Sequence, residues 1–136
     1  MTNGAELRTM AGGRCAVSKA KEIPMAIVHA TPGDLVEVKP LGAALRSIRS
    51  HALFKSDQLE IIRLVMRADE ELPAHAVTGE STLLCIEGRV ALVCKAGERV
   101  IGAGQLVHLG GGERHALRCV EDASLLMTIV LKGAAG

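Results

Sequence analysis

From Leu41 to Ala52 the apolar residues of LGAALRSIRSHA fall at Leu41, Ala44, Leu45, Ile48 and Ala52, a spacing that lines one face of a helix. The pattern predicts one short amphipathic helix. Beyond it the texture changes to short runs rich in Val, Ile and Leu, separated by Gly, Asp or Glu clusters: HALFKS, LEIIRLVM, STLLCIE, RVALVCK, ERVIG, QLVHLG, HALRCV and SLLMTIVL. Runs of that length at nearly regular spacing predict an all-β antiparallel sandwich or barrel. EGR and KAGE read as its hairpin turns, because glycine takes positive φ without steric penalty. Several runs are apolar on both sides of the pleat, so both faces need a cover, one from the barrel interior and the other from a second layer or a partner subunit. A homodimer is the expected assembly.

The chain of 136 residues is one domain in size. Residues 1–24 hold only isolated large aliphatic residues among Gly, Ala, Lys and Arg, and read as a flexible extension; residues 25–136 read as the domain. A formal charge of +1 with both signs interspersed excludes the basic stripe that nucleic acid or an anionic membrane needs. A small-molecule partner is expected instead. Phe54 is the only aromatic residue among Phe, Tyr and Trp, which removes ring stacking of bases or sugars and a tyrosine acid from the mechanisms on offer. The cysteines, Cys15, Cys85, Cys94 and Cys119, form no CxxC pair and read as reduced thiols of a cytoplasmic protein. No apolar run approaches a membrane span or a signal peptide. The GGGE run from Gly110 to Glu113 lacks the Lys-Ser or Lys-Thr of a phosphate loop and reads as a turn.

Two histidines carry the candidate chemistry. In LPAHAVTGESTLLCIEGRVAL, His75 is followed by Val77, Ser81 and Gly88; further on, Gly104 is followed by Gly110, Gly112, His115 and Cys119. These spacings resemble the two motifs of the small single-domain cupins. The first of those motifs reads G, five residues, H-x-H, three or four residues, E, six residues, G. The second reads G, five residues, P-x-G, two residues, H, three residues, N. In register, His75 and His115 stand at ligand positions, Val77 stands at the second histidine, Ser81 at the glutamate, Gly110 at the proline and Cys119 at the asparagine.

The resemblance implies an RmlC-like cupin barrel, a double-stranded β-helix or jelly roll with one short helix, carrying a degenerate metal motif. The family's metal chemistry, three histidines and a carboxylate around one divalent ion, would here rest on His75 and His115, with Fe, Ni or Zn as the ion. His108 or Glu80 could complete it, Glu80 only if a bulge at Gly79 re-aims it. Val77, Ser81 and Arg63 are the expected ligand contacts. Arg63 inside the barrel would suit a small carboxylate, and facing outward it would be an ordinary interface or surface arginine. Three functions follow: a small-ligand-binding cupin with a reduced pocket, a metal-dependent oxygenase or an isomerase or lyase acting on a carboxylate-type metabolite, or a structural dimer. In a metal-free pocket the imidazoles would exchange hydrogen bonds or protons with the ligand.

Overall fold

The computed structural model describes residues 29–131. The expected extension over residues 1–24 lies outside that range. Its strands are β1 (His51–Lys55), β2 (Leu59–Met66), β3 (Glu71–His75), β4 (Ser81–Cys94), β5 (Gly97–Gly102), β6 (Leu106–Leu109) and β7 (His115–Val130), preceded by a 3₁₀ helix, Gly42–Ser47. The helix is half the expected length. Leu41 supplies no side-chain cap, Ile48 is extended at φ −114° and ψ 142°, and the chain beyond it enters β1, His51–Lys55. His51 accordingly begins a strand instead of ending a helix, its Nδ1 2.7 Å from the Arg49 carbonyl.

All pairing is antiparallel. The two long strands, β4 and β7, organise everything else, because each serves two layers. The C-terminal half of β7 and the N-terminal half of β4 lie in the order β1-β2-β7-β4-β6, while their other halves lie in the order β3-β7-β4-β5. The sheet turns the corner between these layers where the β4–β7 register breaks, between Cys85 and Val90.

Gly88 makes that corner. Its φ is +80°, and a Cβ there would overlap the Asp122 carbonyl oxygen and come within 2.7 Å of the Ala123 Cα. EGR is therefore a bend inside one continuous strand, not the hairpin turn expected of it. KAGE is a turn as expected, with Cys94 opposite Gly97. Bulges strip carbonyls of ladder partners, and the buried thiols supply replacements: Cys85 Sγ donates to the Glu87 carbonyl at 3.3 Å and Cys119 Sγ to that of Glu121 at 2.9 Å. Burial pushes both thiols up, Cys119 to about 11, so they stay protonated donors.

β3 is the strand that hydrophobic patterning misses. It carries Pro73, pairs among the described residues only with β7, and is irregular between Leu72 and His75, the edge-and-bulge setting in which proline is tolerated.

The interior is built from alternate residues of the long strands. Leu83, Leu92, Val90 and Leu125 are fully buried, and Leu109 and Leu117 nearly so. Burying each such side chain stabilises by roughly 1.5–3 kcal/mol. Leu125, Met127 and Ile129 of β7 face this core, so Ser124 and Leu126 face the other way. Arg63 pairs with Leu126 and shares its outer face.

There the Arg63 guanidinium donates to the Lys39 carbonyl at 2.5 Å and to Ser124 Oγ at 3.2 Å, with Glu87 Oε2 3.9 Å away. The Glu87 carboxylate accepts the Ser124 hydroxyl and the backbone N–H groups of Leu41 at 2.8 Å and Gly42 at 3.0 Å. Burial works to raise its pKa, yet these hydrogen bonds and the Arg63 charge hold it below the usual carboxylate range. The cluster straps residues 39–42 across the outer face, and the helix buries Leu45 behind it. Part of the cover that two-sided strands demand is thus the chain's own N-terminal segment.

Candidate functional site

His75 and His115 sit opposite each other on β3 and β7, with ring centroids 4.5 Å apart and planes tilted by 56°. The β3 bulge makes this meeting. Leu72 pairs with Leu117 and faces the core, and a regular strand would turn His75, three residues on, to the opposite side. One extra residue at Pro73 and Ala74 returns it inward. His115 is 2% exposed, whereas His75 stands at the open rim.

The two rings share a tautomer. His75 Nδ1 lies 3.2 Å from the Pro73 carbonyl oxygen, and His115 Nδ1 lies 3.4 Å from that of Glu113. Carbonyls only accept, so these contacts assign each neutral ring an Nδ1–H and leave each Nε2 as a lone pair. Burial, with the neighbouring His75 adding to it, pushes the His115 pKa down and favours the neutral form.

His115 Nε2 is buried and has no partner among the described residues, and Ser81 Oγ is in the same condition. Ser81 is 2% exposed and pairs with the core residues Leu109 and Ile129, which sets it on the interior face. A buried polar atom without a partner costs about 1–3 kcal/mol.

Val77 packs half-buried against the core, and its carbonyl accepts the Gly112 N–H at 2.8 Å. A Cβ on Gly111 would stand 2.7 Å from the Thr78 carbonyl oxygen, and Gly112 has φ +75°. The glycine run thus seats the loop before β7 against the loop before β4. It is a turn, as its sequence indicates.

Other expected participants are elsewhere. His108 lies opposite Thr82 on the outer side, and its Nε2 is 2.6 Å from Glu80 Oε1 with both side chains about two-thirds exposed, 64% and 68%. Gly79 does not re-aim Glu80 inward. It is glycine because a Cβ would overlap the Val130 carbonyl oxygen. Arg63 belongs to the outer cluster and is not brought to the imidazoles, so the guanidinium-lined pocket expected of it does not form.

Among the described residues no group of three or more His, Cys, Asp or Glu is arranged to hold a metal ion. Zinc and catalytic iron sites take three or more protein ligands. The four-ligand cupin centre therefore does not fit this barrel. What remains is two imidazoles, oriented through Nδ1–H and a carbonyl as metal-binding imidazoles commonly are.

A depression of about 710 Å³ opens beside His115, walled by Lys95, Arg114 and the Gly110–Gly112 run, with Val93 and Ala116 at its back. It does not reach Val77 or Ser81. Lys95 and Arg114 escaped the sequence reading because nineteen positions separate two unremarkable surface cations. The only hint was that each borders a glycine turn.

No family profile matches the chain, and no curated protein matches it in sequence. Its fold has many solved relatives. A conserved protein of unknown function from Streptococcus pyogenes superposes with a TM-score of 0.63 at 19% identity, over 80% of this chain and 99% of its own. A cupin superfamily protein from Desulfitobacterium hafniense gives 0.63 at 16%, over 76% and 100%. An RmlC-like cupin from Shewanella frigidimarina gives 0.60 at 16%, over 80% and 96%. No helix among the described residues is long and apolar enough to cross a membrane. With the corner at Gly88, the two layers shared by β4 and β7, and these relatives, the chain has the cupin fold, an RmlC-like antiparallel β-barrel.

Proposed function

We propose that this chain is a small-ligand-binding cupin whose barrel mouth takes its ligand on the Nε2 atoms of His75 and His115. The observation that carries the reading is the buried lone pair of His115 Nε2, which nothing among the described residues satisfies. Desolvating such an atom is favourable only if something else supplies a donor. Imidazoles that donate from Nδ1 accept at Nε2, so they ask for hydroxyl or N–H groups from the ligand, and the Ser81 hydroxyl is a third contact in this reading.

The test is nitrogen-15 NMR of the imidazole side chains, with thermal melting, across a set of small hydroxylated metabolites and the ions Fe(II), Ni(II) and Zn(II). At least one compound should shift His115 Nε2 and raise the melting temperature of the wild type but not of His115→Leu. If none of them moves either ring, the reading fails.

The Nδ1 contacts favour a second reading, in which a divalent ion, Fe, Ni or Zn, is held by the same two nitrogens with water completing its shell. Stoichiometric metal in protein purified without chelator or a nickel column, abolished by His75→Ala and by His115→Ala, would select it. The ion would supply Lewis acidity; the protein's own part is limited to orienting two imidazoles.

Self-association is proposed as well. Val100 and Leu106, 53% and 65% exposed, flank a second depression of about 390 Å³ that the strap does not cover. Light scattering should give twice the chain mass, and one chain mass at micromolar concentration would overturn this.

A further inference from the structure

We propose that the depression of about 710 Å³ at the end of the β4–β7 ladder is a second binding site, separate from the barrel mouth, and that it takes a small aliphatic carboxylate. The head group bridges Lys95 and Arg114, and the hydrocarbon chain lies along Val93 and Ala116.

The register of the ladder decides which side of the sheet this is. Ala91 stands opposite Arg118, Leu92 opposite Leu117 and Val93 opposite Ala116. Leu92 and Leu117 belong to the core, so Val93 and Ala116 face outward, and Val93 is 49% exposed. Continued past the strand ends, the same register sets Lys95 opposite Arg114 on that outward side. The buried His115 imidazole turns the other way, into the barrel, and takes no part.

Like charges set opposite each other repel, and the protein does little here to relieve them. Further along the outer face, Arg118 has Glu98 Oε2 at 3.8 Å. Among the described residues neither Lys95 nor Arg114 forms such a pair. Glu113 lines the same depression, but backbone takes both of its oxygens: Oε1 accepts the Gly110 N–H at 3.1 Å and Oε2 the Lys95 N–H at 3.0 Å. These bonds pin the glycine loop to the β4–β5 turn, so Glu113 positions the cations. Two cations against that one carboxylate leave a single positive charge, which one carboxylate group neutralises and a nearly dianionic phosphate overshoots.

Arg114 spends one donor on the Ala74 carbonyl at 3.2 Å. That bond fixes the guanidinium and leaves its other N–H groups for a planar, two-oxygen acceptor. The depression also asks for more than a head group, since its volume falls within the range of small-molecule sites, about 300–1,000 Å³. Ala74, Val93 and Ala116 give it an apolar wall, and Gly110, Gly111 and Gly112 line it without side chains. A bare ion leaves that wall wet; a hydrocarbon chain covers it.

Three probes test the two contacts in a carboxylate-free buffer of low salt: hexanoate, which carries head and chain, acetate, which lacks the chain, and 1-hexanol, which lacks the charge. Binding is followed by backbone amide shifts of Val93, Lys95, Arg114 and Ala116, with the imidazole nitrogens of His75 and His115 as controls. Hexanoate should move the four amides and leave both rings unmoved. It should bind about tenfold more tightly than acetate, the gain from burying about two methylene groups, and at least about tenfold more tightly than 1-hexanol. Lys95→Gln with Arg114→Gln should bring hexanoate down to the 1-hexanol level, and Val93→Ser should cut its advantage over acetate. All three side chains are exposed, and an otherwise unchanged amide spectrum confirms that each variant is folded. Hexanoate binding that the double variant does not weaken would overturn the inference, as would amides that no probe moves or hexanoate no tighter than acetate. If hexanoate shifts the imidazoles in place of the four amides, this second site falls and the barrel-mouth reading stands.

Discussion

Strand β7 carries two buried polar clusters, and they are built on opposite principles. In its C-terminal half Ser124 joins Glu87 and Arg63 on the outer face, where every oxygen involved has a partner and, among the described residues, only Arg63 Nε goes without. At its beginning His115 meets His75 on the inner face, and there His115 Nε2 is left without a partner among the described residues. The first cluster contains the stronger charges, yet it is structural: its hydrogen bonds close on the protein's own segment, residues 39–42. The second contains weaker groups whose needs point outward from the fold. What sets the proposed binding site apart is unmet polar demand, not the amount of buried charge.

That contrast can be broken or sharpened by substitution. The harshest change lies between the clusters: Gly88→Ala places a side chain at positive φ and into the Asp122 carbonyl, and it should cost at least about 4 kcal/mol. Circular dichroism should find little folded barrel at 37 °C.

In the structural cluster, Glu87→Gln leaves Arg63 buried beside a neutral amide. The expected loss is about 3 kcal/mol by denaturant titration, since breaking a buried pair strands its partner. The His115 ring resonances should stay where they are. If they move, the two clusters are coupled and the contrast weakens.

His115→Leu should act with the opposite sign. Removing a buried atom that has no partner should stabilise the barrel by about 1 kcal/mol, while ending any ligand response at the rim. A destabilised His115→Leu protein would mean that the imidazole has a partner inside the protein after all.

Acid offers a smaller and reversible version of that experiment. Because burial depresses the His115 pKa in the folded state, the unfolded chain takes up this proton first, and stability should decline as pH falls below about 6.5, the ordinary histidine value. The decline continues until the folded-state pKa is passed. Melting temperature should drop by a few degrees over that window in the wild type and stay flatter in His115→Leu. Least of all should come from His108→Ala: its contact with Glu80 is solvent-exposed, and such pairs contribute about 0–1 kcal/mol.

Much of the barrel is legible along the chain because β-period runs and glycine turns are local signals. The eight apolar runs all fall in strands. Two pairs of them are continuous, however, since STLLCIE with RVALVCK forms β4 and HALRCV with SLLMTIVL forms β7. A bend at a glycine and a hairpin at a glycine look alike until the partner strand is known. ELPAH escaped because proline and a bulge suppress the strand pattern, although that very bulge aims His75.

The candidate site divides along the same line. His75 and His115 can be named from motif spacing, and the structure brings their rings together. Arg63 could not be placed, because its parity relative to His75 passes through a turn and a bulge, each able to flip a face. Lys95 and Arg114 carry no signal until two hairpins meet.

The order of residues alone determined that this chain makes short strands around an aliphatic core, with glycine wherever the backbone must turn tightly, because those preferences act within a few residues. Tertiary structure decided which side of the sheet each polar group occupies and which of them went without a partner. Face and partnership depend on register between strands that lie far apart in sequence, and one inserted residue, as at Pro73 and Ala74, is enough to reverse them.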